Sequence, residues 1–187
     1  MAKMNLPNKL TVLRIFMIPI FVILFYLLPA ENPSALICFV LASLTDTLDG
    51  QIARKRKLIT TFGKFMDPLA DKILTQAAFI CLVGRGDIPA WMVIIIVGRE
   101  LLITGFRTLA ASQGITIAAS RWGKYKTATQ MICLVIFLFK PFGLERMGIS
   151  ALEPISQAFL IFSLILTIIS GWDYIMKNIE ILDVENI

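Results

Sequence analysis

The chain has 187 residues, 57% of them hydrophobic and only 17% charged, with 18 Lys and Arg against 13 Asp and Glu and a mean hydropathy of +0.79. A soluble domain is about 25% charged, so this composition excludes an ordinary water-soluble domain and points to the membrane class. The chain contains no histidine, which removes the commonest general base and leaves a carboxylate as the natural candidate for that role.

The opening MAKMNLPNKL mixes Lys3 and Lys9 with Met and Leu, a composition that can lie along a membrane interface ahead of the first span. The uncharged run 15–28 follows without an A-x-A-like cleavage site, and further apolar segments come after it, so it is expected to stay as a span rather than be removed as a signal peptide. Further apolar runs, uncharged but for the closing Arg85 of the second, cover 32–45, 73–85, 88–98, 127–139 and 154–172. Only the last approaches the ~20 apolar residues of an isolated spanning helix, so the others must extend into charged flanks. Extended in that way they give six helices. Pro, Gly and polar residues in PAENPS (29–34), GRGDIP (84–89), QGITIAAS (113–120) and KPFGLERMG (140–148) mark turns between them, and RKRKLITT supplies the remaining break.

Orientation follows from Lys and Arg. Lys3, Lys9 and Arg14, then Arg54 to Lys57 with Lys64, then Arg107, Arg121, Lys124 and Lys126, and finally Lys177 fall at one set of alternate ends, while the other ends hold only Arg85, Lys140 and Arg146. The positive-inside rule then puts both termini in the cytoplasm. The expected architecture is an all-α integral membrane protein with six transmembrane helices, forming one domain over residues 1–187. Cys38, Cys81 and Cys133 stand singly in apolar segments, as core thiols do, and no disulfide is expected.

The segment DTLDGQIARKRKLITTFGKFMDPLAD, residues 46–71, departs from this apolar background. On a helix, Asp46, Asp49 and Ala53 recur at i, i+3 and i+7 with Gly50 beside them, and on the next helix Gly63, Asp67 and Asp71 recur at i, i+4 and i+8. Counting inward from Arg54 and from Gly63, the deepest acid of each pair lies eight residues in, about 12 Å at 1.5 Å per residue. An antiparallel hairpin would gather the four carboxylates into one cluster. Such a cluster cannot stay ionised unaided, because neighbouring like charges and desolvation both favour the protonated form. Two divalent cations would balance it, and oxygen-only ligation favours Mg²⁺ or Mn²⁺ over zinc. Gly50, Ala53 and Gly63 leave room for a ligand to come close, and Arg54 can reach a phosphate or base at the rim. Close helix packing through the small residues is the plainer reading of Gly50 and Ala53.

These residues match D-x-x-D-G-x-x-A-R-x8-G-x-x-x-D-x-x-x-D, with every fixed position filled from Asp46 to Asp71. In this the chain resembles the CDP-alcohol phosphotransferases. The resemblance implies a membrane enzyme of six helices, usually a homodimer, that uses divalent metal to transfer a phosphoalcohol group from a CDP-linked donor to an alcohol and releases CMP. Carried over by position, Asp46, Asp49, Asp67 and Asp71 would ligand the metals, with Asp71 also the base. Asp46, Asp49, Gly50, Ala53, Arg54 and Gly63 would surround the CDP group.

Softer patterns look like one branch of that family: Pro7, Asn8, Thr11 and Arg14 near the start, Gly98, Arg99 and Glu100 with Arg107, and Gly123, Lys124, Lys126 and Thr127 with Gln130. They imply CDP-diacylglycerol as donor and sn-glycerol 3-phosphate as acceptor, with Arg107, Lys124 and Lys126 binding the acceptor's phosphate. Asn8, Thr11, Arg14, Arg99, Glu100 and Thr127 would give support. Positive-inside charge is the plainer reading of these cations, with Arg99 and Glu100 as a pair between helices. Partners would be these substrates and membrane lipids, with no nucleic acid. Another acceptor on the same core, as in cardiolipin, phosphatidylserine or phosphatidylinositol-phosphate synthesis, is the rival within the family. A cation or proton transporter is the rival outside it, but it would need polar groups continuing across the bilayer, and few stand in the external halves of these segments.

Overall fold

The computed structural model describes residues 6–56, 61–112, 115, 117 and 120–179, and the side chains at 6–10, 46–56, 61–71, 112 and 145 lie outside the described residues. Six helices account for almost all of it, with no strand among the described residues: α1 Leu6–Leu27, α2 Ser34–Arg56, α3 Thr61–Arg85, α4 Ala90–Ser112, α5 Arg121–Met147 and α6 Leu152–Lys177. Each apolar run does extend into its charged flanks. The interface-like opening becomes part of this pattern from Leu6 onward, where it is continuous with α1, and residues 1–5 lie outside the described residues.

Two helical stretches, Arg121–Leu144 and Leu152–Lys177, are long and apolar enough to cross a membrane; Thr11–Leu27 and Ser34–Thr45 are shorter apolar ones. Large apolar side chains also face outward on several helices, among them Phe16, Leu27, Ile94, Leu102 and Trp172. Exposed apolar surface on that scale suits lipid better than water.

Packing joins α1 to α2 and α3 on one side and α5 to α6 on the other, with α4 resting on α6. Between the two groups lies a layer of buried side chains drawn from all six helices, including Phe21, Phe39, Phe79, Ile96, Phe137 and Leu160. The Phe21 and Phe39 rings meet at 5.9 Å between centroids. In an apolar surrounding this layer holds by close packing rather than by expulsion of water. Gly143 serves the same end, since a Cβ there would run into Leu152 and Phe139 where α5 turns into α6. Cys38, Cys81 and Cys133 are free thiols buried in the layer, as expected.

One expected break is shorter than its sequence suggested. KPFGLERMG does not interrupt the helix at Pro141; α5 continues to Met147 and ends at Gly148, whose φ of 65° closes it in the left-handed conformation. A proline inside a helix frees the carbonyl four residues back, here that of Phe137. Arg85 supplies the missing donor, with Nη2 at 3.4 Å from the Phe137 oxygen. The same guanidinium lies 4.6 Å over the Phe25 ring and pairs with Asp87. Lys140 in turn bridges Asp87 at 3.4 Å and Glu153 at 3.1 Å. Arg85, Asp87, Lys140 and Glu153 are therefore tied to one another at this end of the bundle.

Candidate active site

The backbone carries both aspartate stripes on helices, as their spacing predicted. Asp46, Asp49, Gly50, Ala53 and Arg54 occupy the last turns of α2, and Gly63, Asp67 and Asp71 the first turns of α3. Their side chains lie outside the described residues, so the clustering of the carboxylates rests on helix register alone. Asn8 is in the same position on α1. Thr11 and Arg14, one and two turns further along α1, are buried.

Beside this region the described side chains enclose a cavity of about 510 Å³. Lys72, directly after Asp71 in sequence, borders it together with Arg99, Glu100 and Arg107 of α4, Lys124, Lys126 and Thr127 of α5, and Tyr174 of α6. The three cations expected to bind an acceptor phosphate thus line one cavity, with three of the expected supporting residues among them. Among the described side chains, five cations against one carboxylate favour an anionic occupant.

Local structure explains how each group arrives there. Ser120 caps α5, its Oγ accepting from the Gly123 N–H at 3.1 Å, which starts the helix just before Lys124. Lys124 and Lys126 are two residues apart and so leave the helix on roughly opposite sides. Lys126 is buried and Lys124 exposed, and they reach the cavity from inside and from its rim.

Lys126 does not enter unpaired. Its Nζ donates to Glu100 Oε1 at 2.5 Å, and Arg99 Nη1 donates to the same oxygen at 2.8 Å. The side chains of Lys126, Arg99 and Glu100 are only 3%, 14% and 16% exposed, so the carboxylate serves as counter-ion to two largely dehydrated cations. Arg99 and Glu100 do pair, but as neighbours within α4 rather than between helices; the bridge between helices is the one from Glu100 to Lys126 of α5. The side chain of Lys124, by contrast, has no ion-pair or hydrogen-bond partner among the described residues.

Among the cavity residues that were not singled out from the sequence, Lys72 and Tyr174 bear most on its chemistry. Lys72 donates from Nζ to Thr104 Oγ1, and a lysine one residue beyond the aspartate stripe, at the start of an apolar run, was its available signal. Tyr174 sits near the end of an apolar segment with nothing in the spacing to mark it. Gln130, noted only as part of the softer pattern, also lines the cavity; it is buried and donates from Nε2 to Thr167 Oγ1 at 3.1 Å, tying α5 to α6.

Among the described residues no three His, Cys, Asp or Glu side chains come together as a metal site, and the four aspartates fall outside them. Their donor chemistry nevertheless fits a hard divalent ion, being carboxylate oxygen throughout in a chain without histidine.

A helical hairpin with two acids on each arm, set against a cation-lined cavity, is the equipment of a phosphoryl-group transferase working on an anionic acceptor. The chain belongs to the CDP-alcohol phosphatidyltransferase family, whose model matches residues 4–169. Relatives named CDP-diacylglycerol–glycerol-3-phosphate 3-phosphatidyltransferase include one from Bacillus subtilis (strain 168), 40% identical, with 97% of this chain and 99% of the relative covered. Another, from Rickettsia typhi, is 40% identical over 91% of this chain and 94% of its own length. A third, from Haemophilus influenzae, is 37% identical over 96% and 100%.

Proposed function

We propose that the chain transfers the phosphatidyl group of CDP-diacylglycerol to sn-glycerol 3-phosphate, giving phosphatidylglycerophosphate and CMP. The observation that carries this reading is the cavity whose cations begin at Lys72, immediately beside Asp71. It offers an anionic acceptor a seat next to the carboxylates. The relatives' shared name, at about 40% identity over nearly the whole chain, supports the same reaction.

In this reading Arg107, Lys124 and Lys126 hold the acceptor's phosphate, with Arg99, Glu100 and Thr127 around them. The acceptor's free hydroxyl oxygen attacks the phosphorus that bears the diacylglycerol, the bond from that phosphorus to the oxygen of CMP breaks, and Asp71 takes the hydroxyl proton. Asp46, Asp49, Gly50, Ala53, Arg54 and Gly63 surround the CDP group. Asp46, Asp49, Asp67 and Asp71 would hold two divalent ions, Mg²⁺ or Mn²⁺, which when bound neutralise the diphosphate and the departing CMP.

The same reading makes residues 1–187 one membrane domain whose six helices all cross the bilayer. Both termini and the active site face the cytoplasm, and the chain works as a homodimer. Helices too polar to span alone are accommodated because their charged ends lie at the surface or in the cavity. The donor's acyl chains then stay in lipid while its headgroup reaches the site.

The test is CMP release by purified protein with CDP-diacylglycerol and a panel of acceptors: glycerol 3-phosphate, glycerol, serine, inositol phosphate and phosphatidylglycerol. Turnover with glycerol 3-phosphate is expected. Use of serine or phosphatidylglycerol in its place would overturn the acceptor assignment.

A further inference from the structure

Tyr174 is the one residue that α6 contributes to the cavity wall, and it is 1% exposed. Its Oη accepts a hydrogen bond from Arg107 Nε at 3.1 Å, and the guanidinium carbon lies 5.3 Å from the centre of its ring. Phe106 meets the ring edge-on at 5.9 Å, and Asn178 Nδ2 donates to the Tyr174 carbonyl at 2.7 Å. Ring and backbone are therefore both held.

A phenol carries one donor and can accept as well. Here an acceptor position is filled by Arg107, while the O–H has no acceptor among the described residues. Arg107, an exposed residue that lines the cavity, has its Nε committed, and neither Nη has a partner among the described residues. A donor on a buried residue, as the Tyr174 O–H is, is rarely left unused. Two groups with unused donors, locked to each other and bordering a cation-lined cavity, call for an acceptor-rich ligand.

We propose that Tyr174 is a specificity-determining residue of the acceptor site, fixing Arg107 through Nε and donating its own O–H to the phosphate that the outer Arg107 nitrogens bind. This rests on the reading of the cavity as the seat of glycerol 3-phosphate. A phosphate monoester presents enough oxygens to take the guanidinium and the phenol together; an acceptor lacking the phosphate leaves both donors unmet.

The experiment uses the full chain in mixed micelles with CDP-diacylglycerol, measuring CMP release against glycerol 3-phosphate concentration. Tyr174→Phe is expected to raise the acceptor KM about tenfold, with kcat changed by less than about threefold and the donor KM unaltered. Arg107→Lys, which lacks Nε, should raise the acceptor KM as well, and the double variant should fall well short of the product of the two factors. A purely structural Tyr174 would instead lower kcat and the melting temperature and leave the acceptor KM alone. An unchanged acceptor KM in Tyr174→Phe, or factors that multiply independently, would overturn the proposal.

Replacing Tyr174 by 3,5-difluorotyrosine provides a variant that keeps the hydrogen-bonding ring in place. Its phenol ionises at lower pH, so its acceptor KM should climb as pH rises past the point where the unmodified enzyme stays constant; superimposable pH profiles would count against the O–H donor. If the unmodified protein releases no CMP with glycerol 3-phosphate, the acceptor reading itself fails and this proposal with it. That outcome differs from a wild type that works beside an unaffected Tyr174→Phe.

Discussion

Glu100 offers the sharpest energetic test of the cavity. Its Oε1 accepts from both Lys126 at 2.5 Å and Arg99 at 2.8 Å, with all three side chains at most 16% exposed. Breaking a buried ion pair from one side costs about 3 to 5 kcal/mol, because the surviving charge is left dehydrated. Glu100→Gln keeps an oxygen that can still accept, and the cavity admits water, so about half of that, roughly 2 kcal/mol, is the expected loss. For a chain of this size each kcal/mol lowers the melting temperature by about 2 to 4 °C, hence a fall of about 4 to 8 °C. Lys126→Met should cost only about 1 kcal/mol, since Glu100 keeps Arg99 as its partner. In the double variant the stranded ammonium is gone, and its loss should be smaller than the two single losses added together by about 1 kcal/mol. Thermal unfolding of the four proteins in one detergent at one scan rate decides the matter. A Glu100→Gln protein as stable as the parent, or strictly additive losses, would refute the idea that this carboxylate is the counter-ion of Lys126.

Three further outcomes are expected. Asp71→Asn should abolish CMP release while leaving CDP-diacylglycerol binding within about threefold, whereas Asp46→Asn and Asp49→Asn should weaken donor binding as well; turnover and donor affinity measured together separate the base from the ligands. Chelation should remove activity and Mg²⁺ or Mn²⁺ restore it, with zinc a poor substitute, and full turnover after exhaustive chelation would mean that the aspartates do not work through a metal. Lys124→Gln should raise the acceptor KM about 10- to 100-fold without touching donor affinity, the loss of a charge-assisted hydrogen bond worth about 1.5 to 3 kcal/mol; an unchanged KM would leave Lys124 as a topology signal only.

What the sequence could convey depended on how far apart the interacting residues stand. The helices were readable because apolar runs and turn residues are local, and the aspartate stripes because their spacing shows on a single helix. The end of α5 was misplaced because Pro141 is compensated from another helix, by Arg85, and no local pattern announces that contact. In the cavity, positive charge near Arg107, Lys124 and Lys126 was evident, but the commitment of Lys126 to Glu100 was not. That pairing joins α4 to α5 and depends on which side of its helix each residue faces. Tyr174 was invisible for the same reason, since its role comes from Arg107 across the bundle.

The Arg85 contact with the Phe137 carbonyl has a consequence for how this chain can change over time. With Pro141 in place, loss of Arg85 would leave the Phe137 carbonyl without the donor that now replaces its helical one. A lineage that first replaced Pro141 with an ordinary helix former would restore the ladder from within and release Arg85 from that duty. The order of the two substitutions therefore matters: proline first is a passable route, arginine first is a costly one. The two positions, distant in sequence, should be inherited as a unit.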